Sequence, residues 1–307
     1  GLERSDTSTL RRLLAHPDRR ARLEAQLELA SRGRSSIKVF TEVATNVVSA
    51  PLARLHAVWG LTQLGREHKQ VAATLLQLLD DADPEVRAQA AKGLGDLKIA
   101  TAYDALVRKL TDSAPRVQFF AAQSLGKLGR TEATPALVEL LRANADRDVY
   151  LRHAAVHALT RIGKNPALDA AASDSSPAVR LGVLLADRAL KDPAIAQFLN
   201  DSDAYIAREA ALAINDAPVE GAYAALAAKL STVAKDDAPF VLRAINANFR
   251  LGQAEHARAL ADYATRTDAA NEMRAEALTQ LASWADVPQR DRIVGIYRPL
   301  PARDASP

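Results

Sequence analysis

Two stretches of the chain carry nearly the same succession of apolar and polar positions, DPEVRAQAAKGLGDL at 83–97 and PRVQFFAAQSLGKLG at 115–129. Anchored on Arg87, the pattern extends to Arg22, Arg54, Gln118, Arg152, Arg180, Arg208, Arg243 and Arg274. Eight of these nine anchors are arginine and their spacing stays between 28 and 35 residues, the signature of a repeat architecture. Three residues after each anchor stand Ala25, Ala57, Ala90, Ala121, Ala155, Val183, Ala211, Asn246 and Ala277. Seven residues after it stand Leu29, Leu61, Leu94, Leu125, Leu159 and Leu281, with Asp187, Asn215 and Arg250 breaking the series. At about 100° per residue, offsets 3, 7 and 10 share one helix face. Each anchor therefore belongs to a helix whose alanine and leucine stripe is buried. Gly33, Gly65, Gly129 and Gly163 follow at offset 11, where a left-handed residue is expected to end the helix.

Between successive anchor helices there is room for one more short helix, as in VAATLLQLL (71–79), AYDALVRKL (102–110), ATPALVELL (133–141) and AYAALAAKL (222–230). Each repeat is then a helix pair. A single pair cannot cover its own apolar stripe, so the pairs must stack. Asp18, Asp83 and Asp148, four residues before an anchor, suit N-cap positions, and Pro17, Pro84, Pro115 and Pro177 fall in or just ahead of the first turn. The expected fold is all-α, an α-solenoid of about nine helix pairs. No Gly/Ser-rich linker divides it, so residues 1–297 are expected to form one domain, less regular at about 177–252, followed by a Pro-rich tail or linker at 298–307.

Composition agrees: 48% of residues are hydrophobic but only 5% aromatic, with 13 glycines and 14 prolines. The 40 basic and 37 acidic residues leave a net charge of +3, too little for a dedicated track along nucleic-acid phosphates. The absence of cysteine removes disulfides, thiolate metal sites and a cysteine nucleophile. No apolar run reaches the length of a membrane span. The chain starts at Gly1 rather than methionine, which suggests a segment of something longer.

The D-P-x-V-R-x-x-A-x-x-x-L-G pattern resembles HEAT repeats of the phycobilisome-lyase type over nearly the whole chain. LLAHPDRRARLEAQLELASRG (13–33), LARLHAVWGLTQLG (52–65) and GIYRPLPARD (295–304) are more specifically similar to the HEAT segment of large exported bacterial proteins. There the segment follows a sugar-dehydrogenase-like β-propeller and often precedes a c-type cytochrome domain. The resemblance implies a periplasmic or extracellular protein and a spacer or docking role, with any redox chemistry in domains outside these residues.

Candidate chemistry is sparse. The arginines Arg22, Arg54, Arg87, Arg152, Arg180, Arg208, Arg243 and Arg274 are read as a structural ladder, each guanidinium bonding carbonyls or an aspartate of a neighbouring turn. An anion-binding rail is the functional alternative. His153 and His157 have the i, i+4 spacing of a metal pair, but Ala154, Ala155 and Val156 lie between them and no third ligand is evident. Asp80/Asp81 and Asp236/Asp237 fall at turns, where capping accounts for them. No catalytic, cofactor-binding or metal-ligating residue is assigned.

Offsets 2, 5 and 9 point away from the buried stripe. In the first half they place His56, Trp59, Gln89, Lys92, Phe120, Gln123 and His157 in one row, a candidate partner-binding strip because aromatic residues anchor many interfaces. The leading expectation is a non-enzymatic protein-interaction scaffold or inter-domain spacer with a protein partner and no cofactor. Two alternatives stand beside it. One is a nucleic-acid binder like the HEAT-type DNA glycosylases, suggested by the arginines and two tryptophans. The other is a tetrapyrrole lyase or isomerase, suggested by the lyase-type repeat.

Overall fold

The computed structural model describes residues 2–234 and 237–304, so Asp236 of the Asp236/Asp237 pair lies outside the described residues. Among these, every regular element is helical, the one exception to helix being an isolated antiparallel bridge between Arg290 and Tyr297. The chain divides into two compact units, residues 1–170 and 171–307.

In the first unit, α1 (Thr7–Leu13) pairs with α2 (Arg19–Ser31), α3 (Ile37–Thr45) with α4 (Pro51–Leu64), and α5 (Val71–Leu78) with α6 (Pro84–Asp96). Then α7 (Tyr103–Lys109) pairs with α8 (Pro115–Leu128), and α9 (Thr134–Asn144) with α10 (Val149–Ile162). The unit boundary falls within α11 (Pro166–Ala171). The second unit continues with α12 (Pro177–Leu190), then a 3-10 helix (Pro193–Asn200) packed on α13 (Ala204–Asp216). It ends with the pairs α14 (Tyr223–Ala228) with α15 (Ala238–Leu251) and α16 (Ala254–Thr265) with α17 (Asn271–Ala282). Arg180 lies on α12, and every other anchor lies on the second helix of a pair. The fold is an all-α solenoid, and its described helices make eight such pairs when the 3-10 helix is counted as a first member, with α12 beside them.

The register explains the packing. Ala25, Ala57, Ala90, Ala121 and Ala155 are wholly buried, as are Leu29, Leu61, Leu94, Leu125 and Leu159. Small residues let successive second helices close in. A Cβ added at Gly95 would stand 2.1 Å from Ser124 Oγ and 2.7 Å from Ser124 Cα, and one at Gly126 would stand 2.7 Å from Ala158 Cα. Asp18, Asp83 and Asp148 each cap a second helix, accepting from the N–H groups of Arg20, Glu85 and Tyr150 at 2.8 Å.

One expectation is corrected at the helix ends. Gly129 ends α8 at φ +69°, but Gly65 keeps helical dihedrals at φ −63°. Packing accounts for Gly65 instead: a Cβ there would stand 2.4 Å from Leu97 Cδ1 and 2.7 Å from Val71 Cγ2.

Candidate functional site

The anchor residues stand in the first two turns of their helices, and their side chains reach the turns that lead into those helices and the turns of neighbouring layers. Arg22 donates from Nη1 to the carbonyls of His16 (2.7 Å) and Pro17 (2.8 Å). Arg87 and Arg180 use the same geometry, reaching Asp81 O (2.8 Å) and Asp174 O (2.9 Å) respectively. Gln118, the one non-arginine anchor, donates to Asp112 O at 2.6 Å. The remaining donors reach other turns. Arg87 forks onto Asp112 (2.8 and 2.9 Å) and Arg180 onto Asp201 (2.7 and 2.9 Å). Arg54 pairs with Asp81, and Arg208 with Asp237 (2.8 Å). Arg243 reaches back to Asp216 (2.8 Å), Arg152 stays with Asp146 of its own turn, and Arg274 donates to Ala264 O (2.9 Å).

These aspartates also hold their own turns: Asp112 Oδ1 accepts from Ala114 N and Asp201 Oδ1 from Asp203 N. Burial acts to raise both carboxyls. The guanidinium and backbone hydrogen bonds outweigh it, so both lie below the usual carboxylate range.

The strip residues are connected, but they are not all at the surface. His56 is 5% and Gln89 6% exposed, a correction to their expected position. Offset 2 turns toward the preceding second helix, and polar partners from neighbouring layers cover it. His56 Nδ1 lies 2.8 Å from Gln26 Oε1, and its ring meets Trp59 edge-on at 4.9 Å. Trp59 Nε1 donates to Gln89 Oε1 (2.8 Å), and Gln89 Nε2 donates to Glu85 Oε1 (2.7 Å). Arg116 Nε donates to Glu85 Oε2 (2.6 Å), and its guanidinium stands 5.1 Å over the Phe120 ring. Side chains of α2, α4, α6 and α8 thus form one continuous string from Gln26 to Phe120.

Trp59, at offset 5, remains 37% exposed on top of this string. Phe120 is partly buried and packs against Phe119 at 5.2 Å, while Gln123 is also partly buried. Lys92 Nζ donates to Asp96 (2.7 Å), which Lys127 also reaches. His157 stacks on His153 at 6.2 Å, and its pKa is pushed down by burial, Arg161 and His153. Among the described residues, no group of three or more potential ligands is placed to hold a metal ion. No described helix is long and apolar enough to cross a membrane.

The breaks in the repeat have a use that the repeat pattern did not show. Asn246 Nδ2 donates to Asn215 Oδ1 (2.8 Å) and to Asp291 Oδ2 (3.0 Å). Asp291 Oδ2 also accepts from Arg250 (3.3 Å) and Arg298 (3.1 Å), and Arg298 reaches Asn215 O (2.9 Å) and the Tyr223 hydroxyl. Arg303 stacks over Phe249 (4.6 Å) and Trp284 (4.7 Å). Residues 288–304 are therefore strapped across the ends of α13, α15 and α17. The polar residues standing at offsets 3 and 7 in these repeats, Asn246, Asn215 and Arg250, are the receptor for this strap. A polar residue where alanine or leucine is the rule was the available signal.

A family model described as HEAT repeats matches residues 71–160. A search of curated protein sequences gives no match. Among solved structures the chain is similar to Kap121p, at 12% identity and a TM-score of 0.59, over 93% of this chain and 38% of that one. It is similar to yeast importin-β (Kap95p), at 15% identity and a TM-score of 0.54, over 93% and 47%. The complex of CpcE and CpcF of phycocyanin lyase from a Nostoc species is a looser likeness, at 22% identity and a TM-score of 0.41, over 82% and 89%. The chain spans under half the length of Kap121p and of yeast importin-β, and identities this low establish the fold alone. The chain has the HEAT-repeat fold, an all-α solenoid whose residues 71–160 match the HEAT family directly.

Proposed function

We propose that this chain is a non-enzymatic docking scaffold that holds a protein partner on the exposed face of its N-terminal second helices. The observation that carries this reading is Trp59. It is a large aromatic side chain left 37% exposed and fixed from beneath by hydrogen-bonded and ring contacts running from Gln26 to Phe120. A pre-ordered aromatic loses little conformational freedom on binding, which is what an interface anchor requires. Leu27, Leu52 and Tyr150 add exposed apolar area on the second helices of the same unit. The repeated polar residues are engaged in turns and stacking, which supports a mechanical role over a catalytic one.

The partner is either a separate protein or a neighbouring domain of a larger polypeptide, which is the spacer role of exported multidomain proteins. Both use the same face. The test is selection from a random peptide library on the intact chain and on Trp59→Ala. Enrichment that depends on Trp59 is expected. Failure to enrich, or equal enrichment by the variant, would sink the proposal.

A further inference from the structure

Charge is unevenly divided between the two units. Residues 1–170 contain 25 basic and 19 acidic residues, whereas residues 171–307 contain 15 and 18. Part of the excess on the first unit lies on one edge of the face that carries Trp59. At about 100° per residue, anchor offsets 5 and 9 lie about 40° apart and advance toward the C-terminal end of each second helix. They place Lys92, Lys127 and Arg161 along that edge beside the carboxylate of Asp96, and Arg66, Arg130 and Lys164 follow in the turns just past the helix ends, where Arg130 pairs with Glu132 and Lys164 with Asp169. Asp96 is already shared by Lys92 and Lys127. Burial pushes its carboxyl up, but those two bonds outweigh it and hold it below the usual range. Arg66 and Arg161 are exposed, and neither makes an ion pair among the described residues.

The apolar side chains lie beside that edge, toward the start of the helices. Leu52 is 50% and Tyr150 73% exposed. Between α8 and α10 a cleft of about 350 Å³ opens, lined by Pro115, Arg116, Phe119, Asp148, Tyr150 and Leu151. The step from the Trp59 row to the offset-9 row is four residues, about 6 Å along the helix axis. Successive side chains of an extended peptide point to opposite sides. A segment crossing the second helices over Trp59 would therefore send alternate side chains to the basic edge and to the apolar row.

We infer that the face of α4, α6, α8 and α10 takes an extended acidic protein segment, with carboxylates on the Lys127–Arg161 edge and apolar side chains on Trp59 and in the Phe119–Tyr150 cleft. This rests on the docking reading above and adds the chemistry of the partner. Aliphatic anchors such as Leu52, and the carboxylates of Glu85 and Asp96 within the face, favour a protein chain over a nucleic acid, whose phosphates need an uninterrupted basic track. Complementary charge across such a contact chiefly sets specificity and association rate, so the binding should weaken with salt.

The experiment uses the full chain and labelled twelve-residue peptides alternating aspartate with leucine or phenylalanine, read by fluorescence anisotropy at low and high salt. Matched peptides carry serine or lysine in place of aspartate, and a labelled single-stranded oligonucleotide serves as the nucleic-acid probe. The acidic peptide is expected to bind at least tenfold more tightly than the others. Arg66→Glu combined with Arg161→Glu, at two exposed positions outside the ion pairs, should remove most of that margin while thermal unfolding stays unchanged. If serine and aspartate peptides bind equally and both need Trp59, the charge inference fails and the docking face stands. If the oligonucleotide binds best and loses affinity in the charge variant, the face is a nucleic-acid surface and the inference fails. If no peptide binds, both readings fail.

Discussion

The inter-layer contact of Arg87 with Asp112 offers the most quantitative test of how the repeats hold together. Replacing Asp112 by alanine leaves the Arg87 guanidinium in a site where its side chain is only 13% exposed and its partner's 7%. Breaking a buried pair from one side costs about 3–5 kcal/mol. Arg87 keeps its bonds to the carbonyls of Asp81 (2.8 Å) and Ala82 (3.1 Å), so the lower end, about 3 kcal/mol, applies to the stranded charge. Asp112 also accepts the Ala114 N–H, a capping bond whose loss adds about 1 kcal/mol. Asp112→Ala should therefore cost about 4 kcal/mol in urea unfolding. Adding Arg87→Ala removes the stranded charge, so the double variant should lose less than the sum of the singles, with a coupling of about 1.5–3 kcal/mol. Arg20→Ala, at the exposed pair with Asp18, should leave the midpoint within error. A cost below about 1 kcal/mol for Asp112→Ala, with additive singles, would refute the claim that these contacts bind layer to layer.

Other outcomes follow from the same geometry. Gly95→Ala should destabilise by about 1–2 kcal/mol, because the added Cβ would stand 2.7 Å from Ser124 Cα, which puts overpacking in the upper part of its range, about 2–3 kcal/mol, against a helix-propensity gain of about 1 kcal/mol. An unchanged or raised urea midpoint would contradict it. Asp291→Ala removes the acceptor shared by Asn246, Arg250 and Arg298, and should make residues 288–304 an early site of limited proteolysis while α4–α10 stay resistant. Asp112, Asp201 and Asp291 all have carboxyls below the usual range; in each, burial opposes the shift and hydrogen bonds outweigh it. Because their folded values lie below the unfolded value of about 3.9, their stabilisation is complete above it and is lost as pH falls through the folded values. Urea midpoints should be level between pH 7 and 5 as far as these groups act, then drop steeply below pH 4. His56 adds a gentler slope: burial, then Arg22 and Arg19, lower its pKa, so its stabilisation is full above about pH 6.5 and declines as pH falls. An imidazole titrating at or above the ordinary value by NMR would overturn that point.

Much of the fold is legible in sequence because a stacked repeat prints its packing at fixed offsets. Ala90 and Leu94 are as fully buried as Ala121 and Leu125, so one register predicts them all. The surface is harder to read. Offsets 2 and 5 differ by only about 60° on a helical wheel, yet His56 and Gln89 are buried while Trp59 is not, since exposure there depends on what the adjacent layer supplies. The turn glycines show the same limit: Gly65 occupies the position of Gly129, but the Leu97 and Val71 side chains, not dihedral freedom, require it. The strap was beyond reach because its contacts join residues far apart in the chain, such as Arg298 and Asn215, with no periodicity to link them. Only the polar substitutions on the receiving side were visible.

Trp59 gives the most direct test of the docking face. In a Trp284→Phe chain it is the sole tryptophan, and acrylamide quenching of its emission can be followed during titration with the aspartate-alternating peptide. Quenching is expected to fall as the peptide saturates the chain, because the indole becomes covered. Saturable binding with Trp59 as open to acrylamide as before would place the partner elsewhere and contradict that expectation.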